Sequence, residues 1–355
     1  MITSLPKQTA PHLDYADAIR AFATVSIVFL HVASPIVQDF TAYKLSWWWT
    51  ANIIYSFSRP AIALFVMISG MLLLSPSKEE SLAYFFKKRF IRIGIPFIFW
   101  GVLFFLWKTH GKGFSMARLA KDFVEGPVYY HLWFIYTITG IYLVTPIFRV
   151  YAKNASRSNK LYLLILWFIG TAIYPFVKYF SGISVGIPIM AAGGFLGAFL
   201  LGNFVKNEPV PEKYMGPLWI VLVLSTVVTA FGIFFLSRFD KVYNGVFADF
   251  LSPNVIIMAL CLFFIFKEFD FGIVKSKYPL FFKAIKTISS TSFSVYIIHI
   301  PLLEIFKYHL PGWRLDATLV IPLIGIPLTA IITLVICIGF VVVLRKIPLM
   351  KFVLP

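Results

Sequence analysis

Charge is what this sequence has least of. Of its 355 residues only 13% are Asp, Glu, Lys or Arg, against 59% hydrophobic and 18% aromatic, with a mean hydropathy of +0.85. The surface of a soluble globule needs about twice that charge, so composition excludes one. Cysteine is almost missing: Cys261 and Cys337 lie inside apolar runs, with no CxxC and no paired spacing. They read as packing residues, not as disulfide or metal ligands, and no metal is expected. The apolar segments lack strand alternation, which excludes a β-barrel, and no internal repeat of the kind that builds two-halved transporters is visible. No small-residue cleavage pattern comes after the first apolar segment, which therefore reads as a retained helix and not as a signal peptide.

What is there is a series of long apolar runs. Ten are long enough to span ~30 Å at ~1.5 Å per residue, at about 17–38, 50–74, 90–107, 131–151, 161–180, 186–205, 218–237, 245–266, 287–309 and 319–344. Lipid leaves only helices for such segments, so the expected fold is an all-α polytopic membrane protein in a single domain over 1–355, with no appended soluble domain. The formal charge of +17 sits in short clusters between the runs. An even span count places both termini on one side, and that side collects 20 Lys and Arg against 10 on the other. The positive-inside rule makes it the cytoplasmic side, so the charge reads as topology and not as a nucleic-acid surface. Segment 111–126 carries Phe114, Leu119 and Phe123 near helical spacing between charges, and is expected to lie flat on the outer surface.

Within the first span, "DAIRAFATVSIVFLHVASPIVQ", Asp17, Thr24, His31 and Gln38 recur every seven residues, with Arg20 three after Asp17. At ~100° per residue these share one face, which must look into the protein or a wet cavity. Arg20 and His31 are eleven residues apart on that face, or ~16 Å. Arg20 fits either a snorkelling anchor paired with Asp17 or a cavity lining. His31, beyond the bilayer middle, is a functional candidate of the type a general base requires. In the ninth span Ser292, Tyr296 and His299 form a second stripe, and His299 reaches a depth matching His31; it fits a core residue or a partner in the site. Arg59 lies roughly 13 Å down from the outer face beside Pro60, where a kink is expected. At that depth it must meet an anion, a carbonyl or water. With nearly all carboxylates at helix ends or in loops, a bound ligand is favoured. Arg89 and Arg92, three apart in "FFKKRFIRIGIPFIFW", fit either positive-inside anchors or a phosphate clamp.

These stretches, with "PAIALFVMISGMLLL", "HLWFIYTITGIYLVTPIFR" and "ISSTSFSVYIIHIPL", occur in an order that resembles the acyltransferase-3 family of integral-membrane O-acyltransferases over essentially the whole chain, particularly its small WecH-like bacterial members. The resemblance implies transfer of an acyl group, usually acetyl, from cytoplasmic acetyl-CoA to a hydroxyl of a surface glycan or lipid-linked saccharide. The location it implies is the bacterial cytoplasmic (inner) membrane. It assigns His31 as the catalytic residue with Arg20 in the same motif, and Arg89 and Arg92 near the CoA phosphates, with Arg20 at the same level. Arg59, His131, Trp133, Tyr296 and His299 are assigned to the acceptor side. Longer relatives carry an extracytoplasmic hydrolase-like domain that this chain lacks, so it would complete transfer itself. The competing reading is an exporter or flippase of a polysaccharide or its lipid-linked precursor, which would not consume a thioester.

Overall fold

The computed structural model describes residues 13–75, 80–110, 113–186, 193–309 and 314–355. The helices that matter here are α1 (Asp14–Gln38), α2 (Leu45–Ser58), α3 (Ala61–Leu73), α4 (Leu82–Lys108), α5 (Met116–Glu125), α6 (Tyr130–Asn154), α7 (Arg157–Ser181), α8 (Phe195–Val205), α9 (Glu212–Asp240), α10 (Val246–Glu268), α11 (Pro279–His309) and α12 (Pro322–Leu344). Counting α2 and α3 as one crossing, nine spans among the described residues are long and apolar enough to cross a bilayer. The expected sixth span over 186–205 differs. Residues 187–192 lie outside the described residues, and the helix within the rest of this run is the 11-residue α8, ~16 Å long. It starts after Gly193 and Gly194, at φ of 91° and 47°, a backbone conformation open to glycine.

Helices α2, α4 and α11 begin at Leu45, Leu82 and Pro279, earlier than the apolar runs suggest. Apolarity marks only the hydrocarbon-facing length, whereas helical hydrogen bonding continues into the interface. The second span breaks where proline demands it, with α2 ending at Ser58 and α3 resuming after Arg59 and Pro60. Proline also explains two wide turns, Phe90–Gly94 in α4 and Ile169–Ile173 in α7. Pro96 and Pro175 would each drive a ring into the carbonyl four residues back, and the widened turn relieves that clash. The surface helix α5 turns its apolar face onto the bundle: Phe123 meets Phe97 at 5.2 Å between ring centroids, Phe114 meets Phe105 at 6.0 Å, and Leu119 is buried beside Phe105. The expected helix is present, and its outward-lying face is the charged one; residues 111–112 are outside the described residues.

Helix α1 runs through the centre, touching α2, α3, α10, α11 and α12, while α4 and α7 are the least buried spans. The tightest contact joins α3 to α8. A methyl on Gly70 would stand 1.7 Å from the carbonyl oxygen of Phe199, and one on Gly202 would stand 1.9 Å from that of Met67. Lipid gives helices no hydrophobic reason to associate, so close backbone packing through small residues supplies the attraction. At one face of the bundle Lys286 bonds Asp14 at 2.6 Å and Asp17 at 2.8 Å, Arg345 bonds the Ser290 carbonyl at 3.0 Å, and Trp100 bonds the Val353 carbonyl at 2.8 Å. The first helix and the last described residues therefore meet on the same, basic face.

Candidate functional site

A cavity of about 790 Å³ opens within the basic face, between α1, α3, α4, α6 and α11. Arg20, Lys88, Arg89, Arg92 and Lys351 line it, with Ser69, Ser289, Ser290 and Ser292 and the phenols of Tyr142 and Tyr296; among the described residues no Asp or Glu side chain does. Of these five cations only Lys88, on Glu80, and Arg20, loosely on Asp17, have an acidic partner among the described residues, so the excess positive charge favours an entering anion. The pairing of Arg20 with Asp17 is loose, at 3.5 Å, because Asp17 already accepts from Lys286 at 2.8 Å and from Ser289 at 2.6 Å. The guanidinium keeps this Asp17 pair and, with its side chain 32% exposed, also lines the cavity. Arg89 lies over Phe85 at 4.5 Å from the ring centroid, and Arg149 lies over the same residue at 4.6 Å. Arg149 is tied to the Leu73 carbonyl at 2.7 Å and to Glu80 at 3.3 Å, and Glu80 also holds Lys88 at 3.2 Å. Burial alone would raise the Glu80 carboxyl, but the bonds from Lys88 and Arg149 outweigh it and hold the group below its ordinary value.

Phe65, Ser292 and Tyr296 also border a seam too tight for a water molecule, walled by Thr24, Ile27, Val28 and Val295, that reaches His299. There the structure gathers three histidines from three helices. Ring centroids of His31 and His299 are 5.1 Å apart, and those of His131 and His299 are 5.6 Å apart, with Tyr130 beside His31 at 6.2 Å. His131 and His299 are buried, whereas His31 is partly exposed.

Proline again sets the local chemistry. Pro301 has no N–H for the carbonyl of Ile297, and His131 Nε2 fills the gap at 2.9 Å. A carbonyl can only accept, so Nε2 carries the proton and Nδ1 of His131 presents a lone pair. His299 is fixed the other way round: its Nδ1 donates to the Val295 carbonyl at 3.0 Å, leaving Nε2 as the acceptor. Both free nitrogens are buried with no hydrogen-bond partner. The Tyr296 hydroxyl donates to the His131 carbonyl and closes the wall between seam and cluster.

Arg59 and Trp133 occupy a separate place. The Arg59 guanidinium sits 3.8 Å from the Phe250 ring centroid and donates to the Tyr55 hydroxyl at 3.2 Å, and Tyr55 shares a 3.0 Å bond with Tyr243. Trp133 stacks on Phe250 at 5.4 Å. The expectation that Arg59 needs an anion, a carbonyl or water is thus corrected in part: a phenol and an aromatic face hold it, because a weakly hydrated guanidinium stacks well. Its Nε–H remains buried and unpartnered, and the residue lies within electrostatic range of His31. The structure brings Arg20, Arg89 and Arg92 together at one cavity with Lys88, and adds Lys351 and Tyr142 there and Tyr130 beside His31, which the sequence reading did not single out. The doublet Tyr129–Tyr130 directly before His131 was the legible signal for Tyr130.

Residues 13–342 match a family model described as an acyltransferase domain. No curated protein and no solved structure matches the chain.

Proposed function

The chain belongs to the acyltransferase-3 family, and from that premise we propose that it moves an acyl group, acetyl in the first instance, from acyl-CoA in the basic-face cavity to a hydroxyl of a surface glycan or lipid-linked saccharide. In this reading the basic face is cytoplasmic, both termini lie there, and the membrane is the bacterial inner membrane. The observation that carries the reading is that the cationic cavity shares Phe65, Ser292 and Tyr296 with the closed seam that borders His299 of the histidine cluster. A charged nucleotide head cannot enter hydrocarbon, but a cavity lined by arginines can hold its phosphates while the flexible thioester arm extends along the seam. The seam is shut to water, so the arm must part Phe65 and Tyr296; the same closure keeps water from hydrolysing the thioester.

His31 takes the proton of the acceptor hydroxyl as its oxygen attacks the thioester carbonyl. The tetrahedral centre collapses, the C–S bond breaks, and the proton held on His31 passes to the leaving thiolate, which regenerates the neutral ring. Arg59, with its buried unpartnered Nε–H, is the donor nearest in character to what the developing oxyanion or an acceptor oxygen needs. Trp133 stacks on the Phe250 ring that carries Arg59 and acts on the acceptor side through that stack.

The experiment is to incubate purified protein with acetyl-labelled acetyl-CoA and envelope extract. The expected result is free CoA and label in a glycan or lipid-linked saccharide fraction, released by mild alkali as an ester is. Intact acetyl-CoA beside a redistributed saccharide would overturn the reading in favour of an exporter.

A further inference from the structure

A general base in a buried site works only if its reacting nitrogen is the unprotonated one and is aimed at the substrate, and both conditions depend on what the other nitrogen does. His31 has no backbone carbonyl assigned to that task, unlike its two neighbours. What it has beside it is a ring whose tautomer is already decided. The Nδ1–H of His299 is spent on Val295, and its Nε2 lone pair is buried and accepts nothing. An N–H···N bond of ordinary length between two imidazoles puts their centroids roughly 5 Å apart. His31 and His299 stand at 5.1 Å.

Resting on the acyl-transfer reading, we propose that His299 is the positioning residue for His31: its Nε2 accepts the N–H of His31 and so turns the other His31 nitrogen, as a bare lone pair, toward the acceptor hydroxyl. The chain is then Val295 carbonyl, His299, His31, acceptor O–H, with every donor directed one way. A small rotation of the part-exposed His31 ring completes it, while His299, buried and tied to its own helix, stays still. The relation is that of the carboxylate to the histidine in a hydrolase triad, with a neutral ring in place of the carboxylate. A neutral partner suits this depth, since a second charge would have to be desolvated. His131 does not take this part, because its ring is fixed by the carbonyl that Pro301 frees and the imidazole it packs against is that of His299.

The test uses two replacements that separate the atoms of the ring. In His299→Asn the side-chain amide can still donate to the Val295 carbonyl but nothing reaches the Nε2 position; in His299→Gln an oxygen acceptor lies near that position. Two readouts are taken on detergent-purified protein of confirmed monodispersity and thermal stability. The first is thiol release from acetyl-CoA in the presence of envelope extract. The second is the rate at which diethyl pyrocarbonate modifies His31, followed by peptide mass spectrometry, which does not depend on what the protein acylates. His299→Asn should lower kcat roughly 10²-fold with KM for acetyl-CoA unchanged, and should slow His31 modification about tenfold. His299→Gln should recover most of both. The proposal is overturned if His299→Asn modifies and turns over like the native protein, if the loss is in KM alone, or if Gln fails as completely as Asn while remaining folded. If the native protein releases no thiol yet the modification rates still rank native, Gln, Asn, the pairing stands and the acyl-transfer reading falls.

Discussion

The cationic cavity and the histidine cluster flank the same closed seam and are built on opposite terms. The cavity keeps five like charges in a wet, part-exposed space, with Glu80 as the acid at its rim. The cluster keeps three imidazoles beside a seam too tight for water, two of them buried with their protons assigned to backbone carbonyls and His31 partly exposed. Charge is tolerable only where water or a ligand can reach it, so in the proposed reading the donor binds at the wet end and proton chemistry falls to the dry, neutral one. Losses at the two places should therefore appear in different kinetic constants.

The largest expected effect is at the dry end. His31→Ala should cut kcat roughly 10²–10⁴-fold, the usual worth of a positioned acid–base group, with KM for acetyl-CoA held. His31→Gln sharpens it, because glutamine preserves size and hydrogen bonding but cannot take the proton. A fully active His31→Gln protein in the thiol-release assay would end the general-base assignment.

Next comes the wet end. Arg89→Ala combined with Arg92→Ala should raise KM for acetyl-CoA roughly 10–100-fold and leave kcat within a few-fold, since contacts to the remote phosphates supply binding more than chemistry. An unchanged KM in protein that still inserts would return both residues to the role of topology anchors.

The smallest effect has the opposite sign. Glu80 holds Lys88, and the bonds from Lys88 and Arg149 keep its carboxyl below the ordinary value. A lowered folded-state value means the pairing is present above the ordinary carboxylate range and is lost only as pH falls through the lowered one. Glu80→Gln frees Lys88 at neutral pH and should lower KM for acetyl-CoA a few-fold. Arg149 is still anchored by the Leu73 carbonyl. Measured KM that rises instead would show that Glu80 orders the mouth and does not compete with the donor.

Much of this was legible before the fold. Composition decided the solvent, run length marked nine of the ten expected spans among the described residues, and the seven-residue recurrence from Asp17 to Gln38 placed Arg20 and His31 on one face of one helix at a calculable separation. The break at Pro60 and the shared direction of Arg89 and Arg92 came from local rules alone. These are short-range properties, set by helical pitch, by the missing N–H of proline and by the cost of charge in lipid. Periodicity reports which way a side chain points and not which helix it meets. So only the tertiary structure could decide that His131, at the entrance of its own span, reaches the carbonyl freed by Pro301 in α11, that Arg59 rests on Phe250, and that Gly70 and Gly202 let α3 and α8 touch backbone to backbone. Those partners lie from roughly 130 to 190 residues apart in the chain, and nothing local ties one to the other. The sequence supplied the three imidazoles; packing brought them together and chose the tautomers of two of them.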